Sequence, residues 1–246
     1  MKVALFDIET SPSLGWFFGP MYETSILKVE QDWFMLSFAW KWLGEDEVHC
    51  LALPDFPGYE RNKRNDKALV QELWKVLDEC DLAIAHNGDQ FDIKMSNVRF
   101  RANGLEPPSP YQTADTKKIA RGSFRFTSNS LDELAQHFGL GRKTPHTGKD
   151  LWFDCMAGDP DAWKVMKEYN TQDVALLEQV YLIMRPWSKT HADVAEETDA
   201  CKNCGGTEFR KPRGARRVRR GWIQDFRCKS CATFKRVKLA AAPYGT

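Results

Sequence analysis

The chain has 246 residues, 42% hydrophobic and 28% charged, which allows one full-sized core with a small appendage and excludes a disordered chain. No apolar run approaches the length of a membrane span, and the longest, "WFMLSFAW", suits a strand, so no membrane association is expected. The net charge of +1 hides an uneven distribution. Residues 201–246 carry 13 Lys/Arg against Glu208 and Asp225 (+11), and residues 1–200 carry 22 against 32 acids (−10), so the basic C-terminal piece suits a polyanionic partner.

The first predicted element is "KVALFDIETS", where Val3, Ala4, Leu5, Phe6 and Ile8 read as a buried strand. Asp7 and Glu9 interrupt it at i and i+2, so both carboxylates share one face, about 6–7 Å apart. Like charges on a half-buried face repel each other and lose hydration. A hard divalent cation chelated by the oxygens would hold them there; the plainer alternative is that Glu9 marks the strand's solvated exit. Because the strand begins at residue 2, no signal peptide is expected.

"SLGWFFGPMYE" then reads as an aromatic loop punctuated by Gly and Pro, and "WFMLSFAWKW" and "VHCLALP" as two strands joined by "LGEDE". Apolar residues from Asp66 to Asp78 repeat at helical spacing. "DLAIAHN" is a short buried strand, and "FDIKMSNVRFRANG" is a helix closed by Asn103-Gly104. After the Pro-rich "LEPPSP" come "YQTADTKKIA" and then "SNSLDELAQHFGL", whose Ser130 and Glu133 have capping-box spacing. "GRKTPHTGKD" is a basic loop. A long helix follows to about Arg185, with Asp159 as N-cap and Pro160 at its first position. Intermixed strands and helices predict an α/β fold with a mixed sheet flanked by helices. Residues 1–187 form the main domain, the polar stretch 188–200 a linker, 201–239 a small second domain and 240–246 a tail.

Tyr169 and Asp173 are spaced i, i+4 in the long helix and share a face. Asp7-x-Glu9, Asn87-x-x-x-Phe91-Asp92 and Tyr169-x-x-x-Asp173, in that order, resemble the three exonuclease motifs of the DEDD superfamily. The tyrosine resembles that of the DEDDy branch, shared by polymerase proofreading domains and RNase D-type ribonucleases. "DTKKIARGSFRFTSNSLDELAQHFGLG" and "YNTQDVALLEQVYLIMRPW" are also similar to phage and bacterial predicted 3′–5′ exonucleases with the ribonuclease H-like fold. The resemblance covers roughly residues 1–187. Tyr111 and Asp115 also fit Y-x-x-x-D, but in an extended segment they span about 13 Å and make no compact site. Phe153-Asp154 repeats the Phe-Asp pair without an asparagine four residues before the phenylalanine.

The resemblance implies two Mg²⁺ or Mn²⁺ ions held by Asp7, Glu9, Asp92 and Asp173, with Asp7 bridging. One ion would activate the attacking water and the other would stabilise the leaving 3′-oxygen, releasing 5′-nucleotides. Tyr169, ordinarily titrating near pH 10, would orient that water rather than act as a base. Asn87, and Thr10 beside the first motif, are candidate substrate contacts, although Asn87-Gly88 is equally a turn former. His86 is expected to pack at a strand end and Asp115 to cap a helix. Trp16, Phe17 and Phe18 either stack a terminal base or simply pack. Lys117, Lys118, Arg121, Arg125, Lys143 and Lys149 either line a phosphate path or are solvated.

Seven cysteines, four of them in "CKNC" and "CKSC", do not make a secreted disulfide framework, so the cytoplasm is expected, and the resemblance to phage and bacterial proteins implies a bacterial or phage-infected cell. Cys201, Cys204, Cys228 and Cys231 form C-x2-C-x23-C-x2-C, which resembles a zinc ribbon around one structural Zn²⁺. Two redox pairs are the alternative, but no thioredoxin-like βαβ pattern surrounds them. Between the pairs lies a predicted basic hairpin. Its Arg213, Arg216, Arg217, Arg219 and Arg220, with Trp222 beside them, suit phosphate contacts and base stacking, against a solvated charge face.

The expectation is therefore a metal-dependent 3′–5′ exonuclease with DNA preferred over RNA. The rivals are an exoribonuclease, a structure-specific endonuclease, and a nucleic-acid-binding accessory that works with a replication or polymerase partner.

Overall fold

A computed structural model describes residues 1–19, 25–142, 148–188, 191–195 and 199–240. The chain opens with β1 (Val3–Thr10), a short hairpin of β2 (Leu14–Trp16) and β3 (Lys28–Gln31), then β4 (Met35–Trp42) and β5 (His49–Ala52). Next come α1 (Lys67–Glu79), β6 (Leu82–Ala85), α2 (Asp92–Ala102), β7 (Gln112–Asp115), α3 (Thr116–Ser123), α4 (Leu131–His137), α5 (Asp150–Ala157) and α6 (Pro160–Met184). The C-terminal piece holds β8 (Phe209–Arg210), β9 (Arg216–Val218), β10 (Gly221–Cys228) and β11 (Phe234–Leu239).

The main sheet has the order β5-β4-β1-β6-β7, with β4 antiparallel to both β1 and β5 and with β1, β6 and β7 mutually parallel. This is the mixed α/β sheet that the alternation of elements predicts. Alternate residues of β1 go to opposite faces. Ala4, Phe6 and Ile8 pack in one core with Leu69, Leu73 and Leu77 of α1. Leu5 packs in the other with Ile119, Leu134, Leu177 and Tyr181 of α3, α4 and α6. Asp7 and Glu9 continue the Val3–Leu5 face, so the same strand that anchors the core delivers two carboxylates beside α6.

Caps set the helix starts. The Asp159 carboxylate accepts N–H bonds from Asp161 and Ala162 with Pro160 at the first position of α6, the Ser130 hydroxyl accepts from the N–H of Glu133, and Asp115 accepts from Lys117 and Lys118. Two features differ from the sequence reading. Part of the aromatic loop, Leu14–Trp16, pairs with Lys28–Gln31; three residues are too few for strand periodicity to show. Helix α5 follows the basic loop, whose residues 143–147, Lys143 among them, lie outside the described residues.

The C-terminal sheet, β11-β10-β8 with β9 also on β10, meets the main body at the far end of β1 and α6. The Asn203 amide donates to the Arg185 carbonyl (3.1 Å) and the Val194 N–H to Lys202 O (2.7 Å). The cleft there is lined by Val3, Leu43, Tyr181 and Arg185 from the body and by Asn203 and Cys204. Val3 is about 13 Å of strand from Asp7, so this contact is remote from the carboxylates. Residues 241–246, most of the expected tail, lie outside the described residues, and none of the described helices is long and apolar enough to cross a membrane.

Candidate active site

Asp7, Glu9 and Asp173 each bring a carboxylate oxygen within 4.8 Å of the others. Asp7 and Glu9 stand two apart on β1, and Asp173 comes from α6 one turn after Tyr169. Three carboxylates so close, Asp173 being almost wholly buried, are mutually repulsive without a cation. An all-oxygen set of this span suits a hard divalent ion with metal–oxygen distances of about 2.0–2.6 Å.

Asp92 arrives differently. β6 pairs with β1 only over Val3–Leu5 and ends at Ala85, so beyond it that edge of β1 has no strand partner. The Asp92 carboxylate takes the vacated place and accepts the N–H of Ile8 (3.2 Å). Asp92 is buried and lies outside the three-oxygen cluster. Burial pushes its carboxyl up to about 7 against the pull of the Ile8 and Asp92 N–H groups, and the charge of Asp115 adds to the rise.

Burial likewise drives the Tyr169 hydroxyl well above the ordinary tyrosine range, reinforced by the charges of Asp173, Glu9 and Asp7. It stays protonated across the neutral range and acts as a hydrogen-bond donor.

Two side chains escaped the sequence reading. Asn170 is fully buried; its Nδ2 donates to Asp7 Oδ2 (2.7 Å), and its Oδ1 accepts from the Ser37 hydroxyl (3.1 Å). Ser37 sits on β4 directly opposite Glu9, so this amide ties β4, α6 and β1 together at the cluster. The available signal was an asparagine on the stripe Trp163–Met166–Asn170–Val174–Leu177, whose other members are apolar. Trp152 of α5 donates its indole N–H to Glu9 Oε2 (3.1 Å) and meets Tyr169 edge-on, with ring centroids 6.0 Å apart. No local pattern announced that contact.

The remaining candidates divide. Asn87 adopts a left-handed backbone (φ 72°), donates its N–H to Asp115 Oδ1 (3.0 Å) and turns the chain. A Cβ on Gly88 would lie 2.5 Å from Ala85 Cβ, so glycine is required there. His86 is held by Thr116 Oγ1 (2.8 Å) and the Asn129 carbonyl (2.9 Å), as a packed histidine should be. Tyr111 precedes β7 and Asp115 ends it, capping α3, and Phe153 and Asp154 are exposed; neither pair joins the cluster. Thr10 ends β1 at an irregularity in the β1–β4 register. Trp16, Phe17 and Phe18 are exposed, and the Trp16 indole donates to Glu30. Lys118 pairs with Asp89 (2.6 Å), whereas Arg121, Arg125 and Lys149 are exposed.

The four cysteines of the C-terminal piece converge, with Cys201–Cys231 and Cys204–Cys228 sulfurs each 3.6 Å apart. Four thiolates at about 2.3 Å around a tetrahedral Zn²⁺ lie about 3.8 Å from one another, so the set fits that ion. The hairpin residues do not form one surface. Arg213 and Arg216 gather on Asp225, Trp222 and Arg217 pair on the other face of β10, and Arg219 and Arg220 occupy the turn between β9 and β10.

No curated protein matches the sequence. Among solved structures, the chain is similar to the family B DNA polymerase from the hyperthermophilic archaeon Pyrobaculum calidifontis, at TM-score 0.53 and 15% identity. The similarity covers 75% of this chain and 25% of the polymerase, so it speaks to the fold of one part of that protein. The RNase H superfamily model matches residues 44–185, which hold Asp92, Tyr169 and Asp173; β1, with Asp7 and Glu9, joins that segment through the sheet. With more than half of its residues matched and the mixed five-stranded sheet in place, the chain belongs to the RNase H superfamily.

Proposed function

We propose that the chain is a metal-dependent 3′–5′ exonuclease of the DEDDy type, acting on single-stranded DNA and releasing 5′-nucleotides. The observation that carries this reading is the meeting of Asp7, Glu9 and Asp173 oxygens within 4.8 Å, beside a tyrosine kept protonated by its surroundings. Asp7, Glu9 and Asp173, with Asp92 at the margin, would hold two Mg²⁺ or Mn²⁺ ions. Those ions would supply Lewis acidity and charge neutralisation for in-line displacement at phosphorus. Asn170 and Trp152 fix the Asp7 and Glu9 carboxylates in advance. Tyr169, whose hydroxyl is hydrogen-bonded to Asp173 and does not release its proton near neutral pH, would help position the attacking water rather than act as a base. Thr10, which follows Glu9 on β1, and Asn87, Trp16 and Phe17 are proposed as substrate contacts.

The test is digestion of 5′-labelled single-stranded DNA and RNA with Mg²⁺ or Mn²⁺. A ladder that shortens from the 3′ end, faster on DNA, is the expected result; internal cuts or a faster RNA ladder would overturn the corresponding part. Likeness to part of a DNA polymerase supports DNA over RNA and favours, as a second reading, a proofreading accessory that needs a polymerase partner. Its signature is activity that appears only when a polymerase is added.

The C-terminal piece is proposed to be a zinc ribbon that tethers the polyanionic substrate to an acidic body. A core this small depends on its metal for folding. A strong chelator should therefore release one zinc per chain and abolish the ribbon's structure, read by backbone amide exchange over 201–240, while the exchange of β1 and α6 is unchanged. Retained protection in zinc-free protein would refute the ribbon's dependence on metal.

A further inference from the structure

The β10–β11 register sorts the ribbon's charges onto two faces. Cross-strand partners and residues two apart share a face. Asp225 faces Arg236, Ile223 faces Lys238 on one side and Arg216 on the other, and Arg227 faces Phe234 and Arg210. One face therefore carries a basic array with a single acid at its centre. Asp225 is 4% exposed and is bonded by Arg213 Nη2 (2.8 Å) and Arg236 Nε (2.7 Å), with Arg216 Nη2 at 3.6 Å. Arg236 and Arg213 hold its carboxyl down to about 2, so it is ionised under all ordinary conditions.

The array is not closed on itself. Three guanidinium groups against one carboxylate leave a local excess of two positive charges. Each guanidinium has five donors, and Asp225 engages only part of that capacity. The Arg213 and Arg236 side chains are each 59% exposed, so their inner edges are fixed and their outer edges face water. The backbone behind Arg213 is fixed too, because the buried Gln224 amide donates to its carbonyl (2.8 Å). On the same face Phe234 is 58% exposed, with the Arg227 guanidinium 5.6 Å from its ring centroid. Pre-oriented guanidinium groups beside an open aromatic ring combine the two elements of single-strand binding, phosphate contacts and a stacking platform.

From this we infer that the Asp225-centred face of the ribbon is a binding site for a single nucleic-acid strand, with phosphates on Arg213, Arg216 and Arg236 and a base on Phe234. Asp225 is the organiser: it holds mutually repelling arginines together before the strand arrives. Trp222 and Arg217, on the reverse face, are outside the site. The inference deepens the exonuclease reading by naming where the substrate is held away from the carboxylates.

The test measures anisotropy of a labelled 20-residue oligothymidylate with the full chain, at several salt concentrations and without added Mg²⁺ or Mn²⁺, so that nothing is cleaved. Each lost phosphate contact on a single strand lowers the salt slope by about 0.7. Arg213→Ala/Arg236→Ala should therefore lower it by about 1.4 and weaken binding at least about tenfold at 0.1 M salt. Arg217→Ala/Trp222→Ala should leave both unchanged. Asp225→Asn separates organisation from bulk charge, because removing an acid would tighten binding if only net charge mattered, whereas loss of the organiser weakens it. Zinc content confirms that each variant is folded. Full binding by the Arg213/Arg236 variant, or loss confined to the reverse-face variant, would overturn the site. Because no cleavage is read, array-dependent binding without nuclease activity would sink the catalytic reading alone, and cleavage with array-independent binding would sink this one.

Discussion

Asp7→Asn should reduce cleavage of a single-stranded oligonucleotide by about 10³-fold or more at saturating Mg²⁺. Asp7 is the carboxylate on which the site's geometry centres: it stands with Glu9 and Asp173, and its Oδ2 is held by Asn170. Losing its charge removes part of what would hold the cations, and cation chemistry at phosphorus is worth several kcal/mol, each 1.36 kcal/mol being tenfold in rate. The substitution is nearly isosteric, so the contact with Asn170 Nδ2 survives through the new amide oxygen. In metal-free protein the effect on stability should have the opposite sign. One of three mutually repelling charges disappears, and the melting temperature should rise by a few degrees, about what 1 kcal/mol gives in a chain of this size. Inactive protein that melts at or above the wild-type temperature separates a catalytic loss from unfolding. Wild-type cleavage by Asp7→Asn would end the assignment of the site.

The parts of this arrangement visible in the sequence are those whose chemistry is local. Two acids interrupting an apolar strand are conspicuous because a strand's period places them on one face, and Asp159-Pro160 marks a helix start on its own. The cysteine pairs are legible for the same reason, since each C-x-x-C is a local knuckle. What distance hides is different. The indole of Trp152 reaches Glu9 across 143 positions, and the short helix that carries it follows a basic loop with no cap to announce it. Asp92 was legible as a motif residue, yet its bond to Ile8 depends on where β6 stops, which no local pattern states. The ribbon's arginines show the same limit. Their number can be counted in the sequence, but which of them share a face is decided by the register that sets Arg236 opposite Asp225 and Arg217 opposite Trp222.

Asn170 tests whether the site depends on a fixed Asp7 or merely on the charges being near. Asn170→Asp changes one atom type in a fully buried position and leaves volume and shape in place. The donor 2.7 Å from Asp7 Oδ2 becomes an oxygen, so two carboxylate groups face each other where one bond stood. Side chains that orient metal-binding carboxylates typically contribute 10- to 100-fold in affinity or activity, and a loss of about 100-fold in turnover is expected here. Asn170→Ala removes the donor without adding charge and should lie between, at about tenfold. Activity alone cannot distinguish positioning from disruption, so the second readout is Mn²⁺ affinity by electron paramagnetic resonance in the absence of substrate. If Asn170 orients Asp7, Asn170→Ala weakens Mn²⁺ binding by a factor similar to its loss of turnover. If proximity of charge is sufficient, Asn170→Asp, with one more carboxylate at the cluster, binds Mn²⁺ more tightly than wild type and keeps its turnover.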